Sequence, residues 1–102
     1  GIDIEKISDK AMKIKQKFLH IELNYPLELN NKISLVYWNI KESIYKAVGI
    51  TGIDFKKNIL APPLDTTSSK CKSWYLNNDE IYSFETHFRI SKNYTLAFVI
   101  KN

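Results

Sequence analysis

The sequence predicts an α+β fold: an opening strand, two or more helices, and a C-terminal antiparallel hairpin. Together these make a small, mostly antiparallel sheet with helices packed on one face. Three observations carry this expectation. In Gly1-Ile2-Asp3-Ile4-Glu5 apolar and acidic residues alternate, which puts Ile2 and Ile4 on one side of a strand and Asp3 and Glu5 on the other. Between Asn30 or Asn31 and Gly49, apolar residues recur at helical spacing. Across 81–90 and 94–100 the pattern returns to strict alternation, broken by Ser91-Lys92-Asn93, which reads as a hairpin.

Each element has local reasons. After the opening strand, Ser8 or Asp9 caps a helix over Lys10 to about Leu19, with Ala11, Ile14 and Phe18 forming its buried stripe. Its lysines, Lys10, Lys13, Lys15 and Lys17, lie elsewhere and ordinarily form a solvated face. His20 to Leu29, containing Pro26, is a turn region. The long central helix then runs to Gly49, a suitable residue just past a helix end. Its expected core face comprises Ile33, Val36 or Tyr37, Ile40, Ile44, Ala47 and Val48.

Ile50 to Ile53 is a turn, and Phe55 to Leu60 a short strand or irregular segment ended by Ala61-Pro62-Pro63. Residues 65–70 form a polar loop without the glycines that cradle a phosphate. A shorter strand around Ser73–Leu76 precedes the hairpin. In that hairpin Tyr82, Phe84, Phe88 and Ile90 share one face of the first strand, and Tyr94, Leu96, Phe98 and Ile100 form the apolar set of the second.

The totals set limits. At 102 residues, 44% hydrophobic and 25% charged, the chain is a single globular domain with a modest core. One cysteine, Cys71, excludes an intrachain disulfide, and no Cys/His spacing suggests zinc. No apolar run approaches the ~18 residues of a membrane span, and nothing resembles a signal peptide, so no membrane role and a cytoplasmic location are expected. The net charge of +4 suits an anionic partner without choosing among them. His20 and His87 stand apart from other candidate ligands and read as ordinary polar residues.

Chemistry concentrates at two places. Glu42 and Lys46 lie four residues apart on one face of the central helix, with Trp38 one turn earlier. As an ordinary surface pair they would contribute only ~0.3–0.5 kcal/mol. Asp3 and Glu5 on one strand face are oxygen ligands of the kind that hard divalent cations take. Trp38 is a stacking platform or, more simply, a large prop that fixes the helix.

Taken together, Gly1-Ile2-Asp3-Ile4-Glu5 and Trp38-x-x-Lys41-Glu42-Ser43-x-x-Lys46 resemble the signature pair of the 4′-phosphopantetheinyl transferases. The resemblance continues through Gly49 and into Tyr94-Thr95-Leu96-Ala97-Phe98-Val99. The Gly-x-Asp-Ile-Glu and Lys-Glu-Ser forms are similar to the surfactin-synthetase-activating (Sfp-type) branch. The short holo-acyl-carrier-protein-synthase branch usually has Lys-Glu-Ala and a late Ser-His-Thr segment, neither of which is present.

The resemblance implies transfer of phosphopantetheine from coenzyme A to a serine of an acyl or peptidyl carrier protein, releasing 3′,5′-adenosine diphosphate. It assigns Asp3, Glu5 and Glu42 as ligands of Mg²⁺, with Mn²⁺ as a substitute, and Lys46 to the bridging phosphates. Lys41 ranks lower, as a contact to phosphate or carrier. The serine proton goes to Glu42 directly or to a metal-bound water, and the residues leave both open. A lysine-rich first helix would suit an acidic carrier.

Because the chain begins within a strand and without Met, it reads as the metal-binding second half of a two-half enzyme, residues 1–102 forming one half-domain. The nucleotide end of coenzyme A would then be held largely by the missing first half. That half, or a second copy, would cover an apolar interface. Two alternatives keep their place: a non-catalytic structural or carrier-binding half, and a small basic nucleic-acid-binding domain. Against the second, most aromatics fall on core faces and no nucleic-acid motif is visible.

Overall fold

The computed structural model describes residues 1–101. Five antiparallel strands form one sheet: β1 (Ile2–Lys6), β2 (Ile59–Leu60), β3 (Lys70–Asn77), β4 (Glu80–Ile90) and β5 (Tyr94–Lys101). Their spatial order is β1-β5-β4-β3-β2, so the chain's first strand pairs with its last. The short helices α1 (Lys10–Lys13) and α2 (Lys15–Phe18) lie against α3 (Asn31–Val48), which packs against the sheet, making the α+β architecture expected from the sequence.

The central helix follows the sequence closely. Asn30 caps it by accepting a hydrogen bond from Ile33 N at 2.9 Å. Gly49 ends it at φ 71°, in the left-handed region where a side chain is strained. Ile33, Leu35, Val36, Tyr37, Ile40 and Ile44 are buried against the sheet and the preceding turns. Ala47 is exposed and Val48 half-buried, so the core face stops one turn earlier than its spacing suggests. There Ala47 and Val48 line an open cavity with Tyr75, Tyr82 and Phe84 of the sheet instead of closing on it.

Two elements depart further. The expected single helix from Lys10 to about Leu19 is two one-turn helices divided at Ile14. The stripe Ala11, Ile14 and Phe18 still turns inward, so the packing survives the break. In β5 the apolar set lies on the outer face: Thr95, Ala97 and Val99 are buried, while Phe98 and Ile100 are exposed. Register explains it, because Phe98 pairs with Ile2 and His87, and Leu96 with Ile4 and Arg89, all pointing away from α3. The strand expected at Ser73–Leu76 extends over Lys70–Asn77, and the Phe55–Leu60 segment contributes only the two residues of β2.

Among the described residues, no helix is long and apolar enough to cross a membrane.

Candidate functional site

The site forms where β1 crosses α3. Gly1 opens the crossing by lacking a side chain: a Cβ there would lie 2.4 Å from the Ser43 carbonyl oxygen of α3. This close approach turns Asp3 and Glu5 inward and leaves Ile2 and Ile4 on the outer face, each 58% exposed. On α3, Asn39, Glu42, Ser43 and Lys46 occupy the helix face toward β1, at offsets of three, four and seven. Ser43 is fully buried and returns its hydroxyl to the Ile40 carbonyl at 2.8 Å, so it serves the helix rather than the site.

Asp3 is the centre. The Lys46 ammonium donates to its Oδ1 at 3.0 Å and to the Ile2 carbonyl at 3.0 Å. The Asn39 amide donates to its Oδ2 at 2.8 Å. Asp3's hydrogen bond is the main cause that raises the Lys46 ammonium above its ordinary pKa. Glu42 stands beside this pair, half-buried, with no hydrogen bond or ion pair among the described residues. Partial burial pushes its carboxyl up, and the negative charge of Asp3 adds to that, against the counter-pull of Lys46. Glu5 adds a smaller upward push, although its own carboxylate is paired with Lys10.

Asp3, Glu5, Glu42 and Lys46 are therefore neighbours, as their spacing in the sequence suggested. The trio is not gathered as a cage, however. Among the described residues, no group of three His, Cys, Asp or Glu side chains is close enough to hold a metal ion. Lys46 and Lys10 occupy two of the carboxylates instead. In kind the donors fit a hard cation: the carboxylates of Asp3 and Glu5 lie near that of Glu42, and an ammonium already sits on Asp3 in a cation's place.

Lys41 does not join them. Its ammonium is fully buried on the other side of α3, 3.0 Å from Glu22 and donating to the carbonyls of Phe55 (2.8 Å) and Ile59 (2.9 Å). All three of its protons are thus committed, so it is placed for structure rather than for a phosphate. Burial lowers its pKa, and Glu22 partly restores it. Glu22 is satisfied too, accepting from His20 N and Ala61 N. Sequence reasoning missed Glu22, which lies in a turn of one 3₁₀ helix (Ile21–Asn24) with nothing to distinguish it from a surface acid. It also missed Asn39 and Thr95. An asparagine inside an apolar helix pattern was the available signal.

Trp38 is a prop. Its ring meets Phe18 edge-on at 5.2 Å and Phe55 at 5.7 Å, with the Lys10 ammonium 5.8 Å from its centroid. His87 stacks on Phe98 at 4.8 Å and bonds Glu85 on the outer face, and Cys71 is a free thiol; neither touches the site.

The searches of curated proteins and of solved structures gave no match. A family model of the 4′-phosphopantetheinyl transferase superfamily matches residues 1–99, which takes in both the opening strand and the central helix. The chain belongs to the 4′-phosphopantetheinyl transferase superfamily, whose chemistry in general is phosphopantetheine transfer.

Proposed function

We propose that this chain supplies the cation-binding side of a transferase site that moves phosphopantetheine from coenzyme A to a carrier-protein serine. The observation that carries the reading is Glu42. It is a half-buried carboxylate with no hydrogen-bond partner among the described residues, set beside a second acid and an ammonium. A purely structural element gains nothing from this arrangement, since burial and like charge both disfavour it.

In the reaction, a bond forms between the seryl oxygen and the phosphorus that carries pantetheine. The pyrophosphate P–O bond breaks, and 3′,5′-adenosine diphosphate leaves with that electron pair. Glu42, the carboxylate beside Asp3 and Lys46 that is unpaired among the described residues, takes the seryl proton directly or through a water. Lys46 is 47% exposed and long enough to exchange Asp3 for a phosphate oxygen, offsetting charge on the leaving group. Asp3, Glu5 and Glu42 would hold Mg²⁺ or Mn²⁺ once Lys46 and Lys10 withdraw. When bound, such an ion would neutralise the pyrophosphate.

The Sfp-type, two-half organisation belongs to this proposal. Its support is the outer sheet face, where Ile2, Ile4, Phe98 and Ile100 are 58%, 58%, 36% and 51% exposed. A first half, or a second copy, is the proposed cover, and it would contribute most of the coenzyme A contacts. Acyl or peptidyl carrier proteins are the proposed acceptors.

Mass spectrometry of apo carrier protein incubated with coenzyme A, Mg²⁺ and the chain tests this, alone and with a first half supplied. Transfer that requires Mg²⁺ and fails in Glu42→Gln and Lys46→Met is expected. Undiminished transfer by Glu42→Gln would overturn the assignment. Full activity of the chain alone as a monomer would remove the two-half organisation.

A further inference from the structure

We propose that Asn39 is a positioning residue for Asp3, latched in place by the hydroxyl of Thr95. Both residues are fully buried, on different elements: Asn39 on α3 and Thr95 on β5. Asn39 Nδ2 donates to Asp3 Oδ2 at 2.8 Å, and Thr95 Oγ1 donates to Asn39 Oδ1 at 2.6 Å. An ionised carboxylate only accepts, so the amide must present its NH₂ to Asp3 and keep its oxygen for Thr95. The three residues lie 36 and 56 positions apart in sequence, yet they form one continuous line from sheet to helix to strand.

The consequence is a division of labour between the two oxygens of Asp3. Oδ2 is fixed by a partner with no solvent access and no freedom to turn. Among the described residues Oδ1 is held only by Lys46, whose long side chain is 47% exposed. The latch therefore aims one defined oxygen at the Lys46–Glu42 side, where an exchangeable cation meets it. Partners behind a ligand of this kind commonly change metal affinity by about 10–100-fold when removed. This inference rests on the proposed cation site, and its test separates the two.

The decisive variants are Thr95→Val, which keeps the branched shape and removes the hydroxyl, and Thr95→Ser, which restores it. Asn39→Ala is the stronger cut. Two readouts on the whole chain are needed. The first is Mn²⁺ affinity by electron paramagnetic resonance. The second, in metal-free buffer, is NMR of the Asn39 side-chain amide protons and the Asp3 carboxyl carbon.

The expected result is protected Asn39 amide protons in the wild type, lost in Thr95→Val together with a moved Asp3 carboxyl signal, and both returning in Thr95→Ser. Mn²⁺ affinity should fall about 10–100-fold in Asn39→Ala, and by less in Thr95→Val. Unchanged NMR signals in Thr95→Val overturn the latch, as does a Thr95→Ser chain as impaired as Thr95→Val. Wild-type Mn²⁺ affinity in a folded Asn39→Ala chain also overturns it. If the wild type itself binds no Mn²⁺, the cation site fails, while the NMR comparison still judges the latch. Should Asn39→Ala not fold, the two Thr95 variants decide.

Discussion

Glu42 is held in its folded place at a cost. Burial first, and then the charges of Asp3 and Glu5, raise its pKa above the ordinary 4.5. A carboxyl whose folded pKa exceeds its unfolded value binds more protons in the folded state. Stability therefore falls as pH rises from about the unfolded pKa through the folded one, and the penalty is complete above that. In metal-free buffer, Glu42→Gln should therefore raise the melting temperature at pH 7. Because the side chain is partly solvated, the gain should be below the about 4–8 °C that 1 kcal/mol is worth in a domain of this size. Below pH 4 the difference should disappear, since both side chains are then neutral. Calorimetry at the two pH values checks this, and equal melting temperatures at pH 7 would contradict it. The complementary change is Asp3→Asn, which removes the charge that pairs Lys46 and leaves one acceptor oxygen where Lys46 and Asn39 now use two, and it should destabilise the chain at neutral pH. The motif made Asp3, Glu42 and Lys46 legible as neighbours, because strand parity and helical offset fix where their side chains point. What the motif could not show was who holds them at rest. Lys10 reaches Glu5 across the turn from β1 to α1, and Asn39 reaches Asp3 from 36 positions away, and neither contact follows from strand parity or helical offset.

At the scale of elements, the Lys41–Glu22 pair ties α3 to the 3₁₀ turn and, through the carbonyls of Phe55 and Ile59 and the amide of Ala61, to the segment leading into β2. Removing one partner leaves a buried charge alone. Lys41→Met or Glu22→Leu singly should cost about 3–5 kcal/mol. The double variant should recover much of that, because no uncompensated charge remains and both replacements are apolar. Urea denaturation of the four proteins closes the cycle, and additive losses would refute the coupling. A lysine beside the motif glutamate invites a functional reading, although helical spacing already turns it to a different side from Glu42 and Lys46. Its partner lies 19 residues earlier in a turn without periodicity, so only the folded chain reveals it. Capping was easier to read: Asn30 and Gly49 act within one turn of their own helix, where sequence and geometry are the same information. Replacing Asn30 by Ala should cost about 1 kcal/mol, with the Ile33 amide left without its acceptor.

For the whole molecule the open question is the sheet's second face. Helix α3 packs on the inner face, with α1 against it in turn, so one side of the sheet is a core wall. The other side displays Ile2 and Ile4 of β1 beside Phe98 and Ile100 of β5. Alternation in β5 announced a strand but could not choose its buried side, because both sets are apolar enough to serve. Ala97 and Val99 won through register with Asp3 and Thr86, which β1 and β4 direct inward. The apolar set left outside is what a covering partner requires, and water contact with it disfavours an isolated monomer at high concentration. The chain should therefore self-associate when the proposed first half is not supplied, and Ile4→Lys with Phe98→Glu should abolish this without unfolding the inner core. Neither side chain belongs to the buried cluster, so the melting temperature at low concentration should change little. Sedimentation velocity across a concentration series reads the outcome. A wild-type chain that stays monomeric throughout would show that this face needs no cover, and the two-half proposal would lose its structural support.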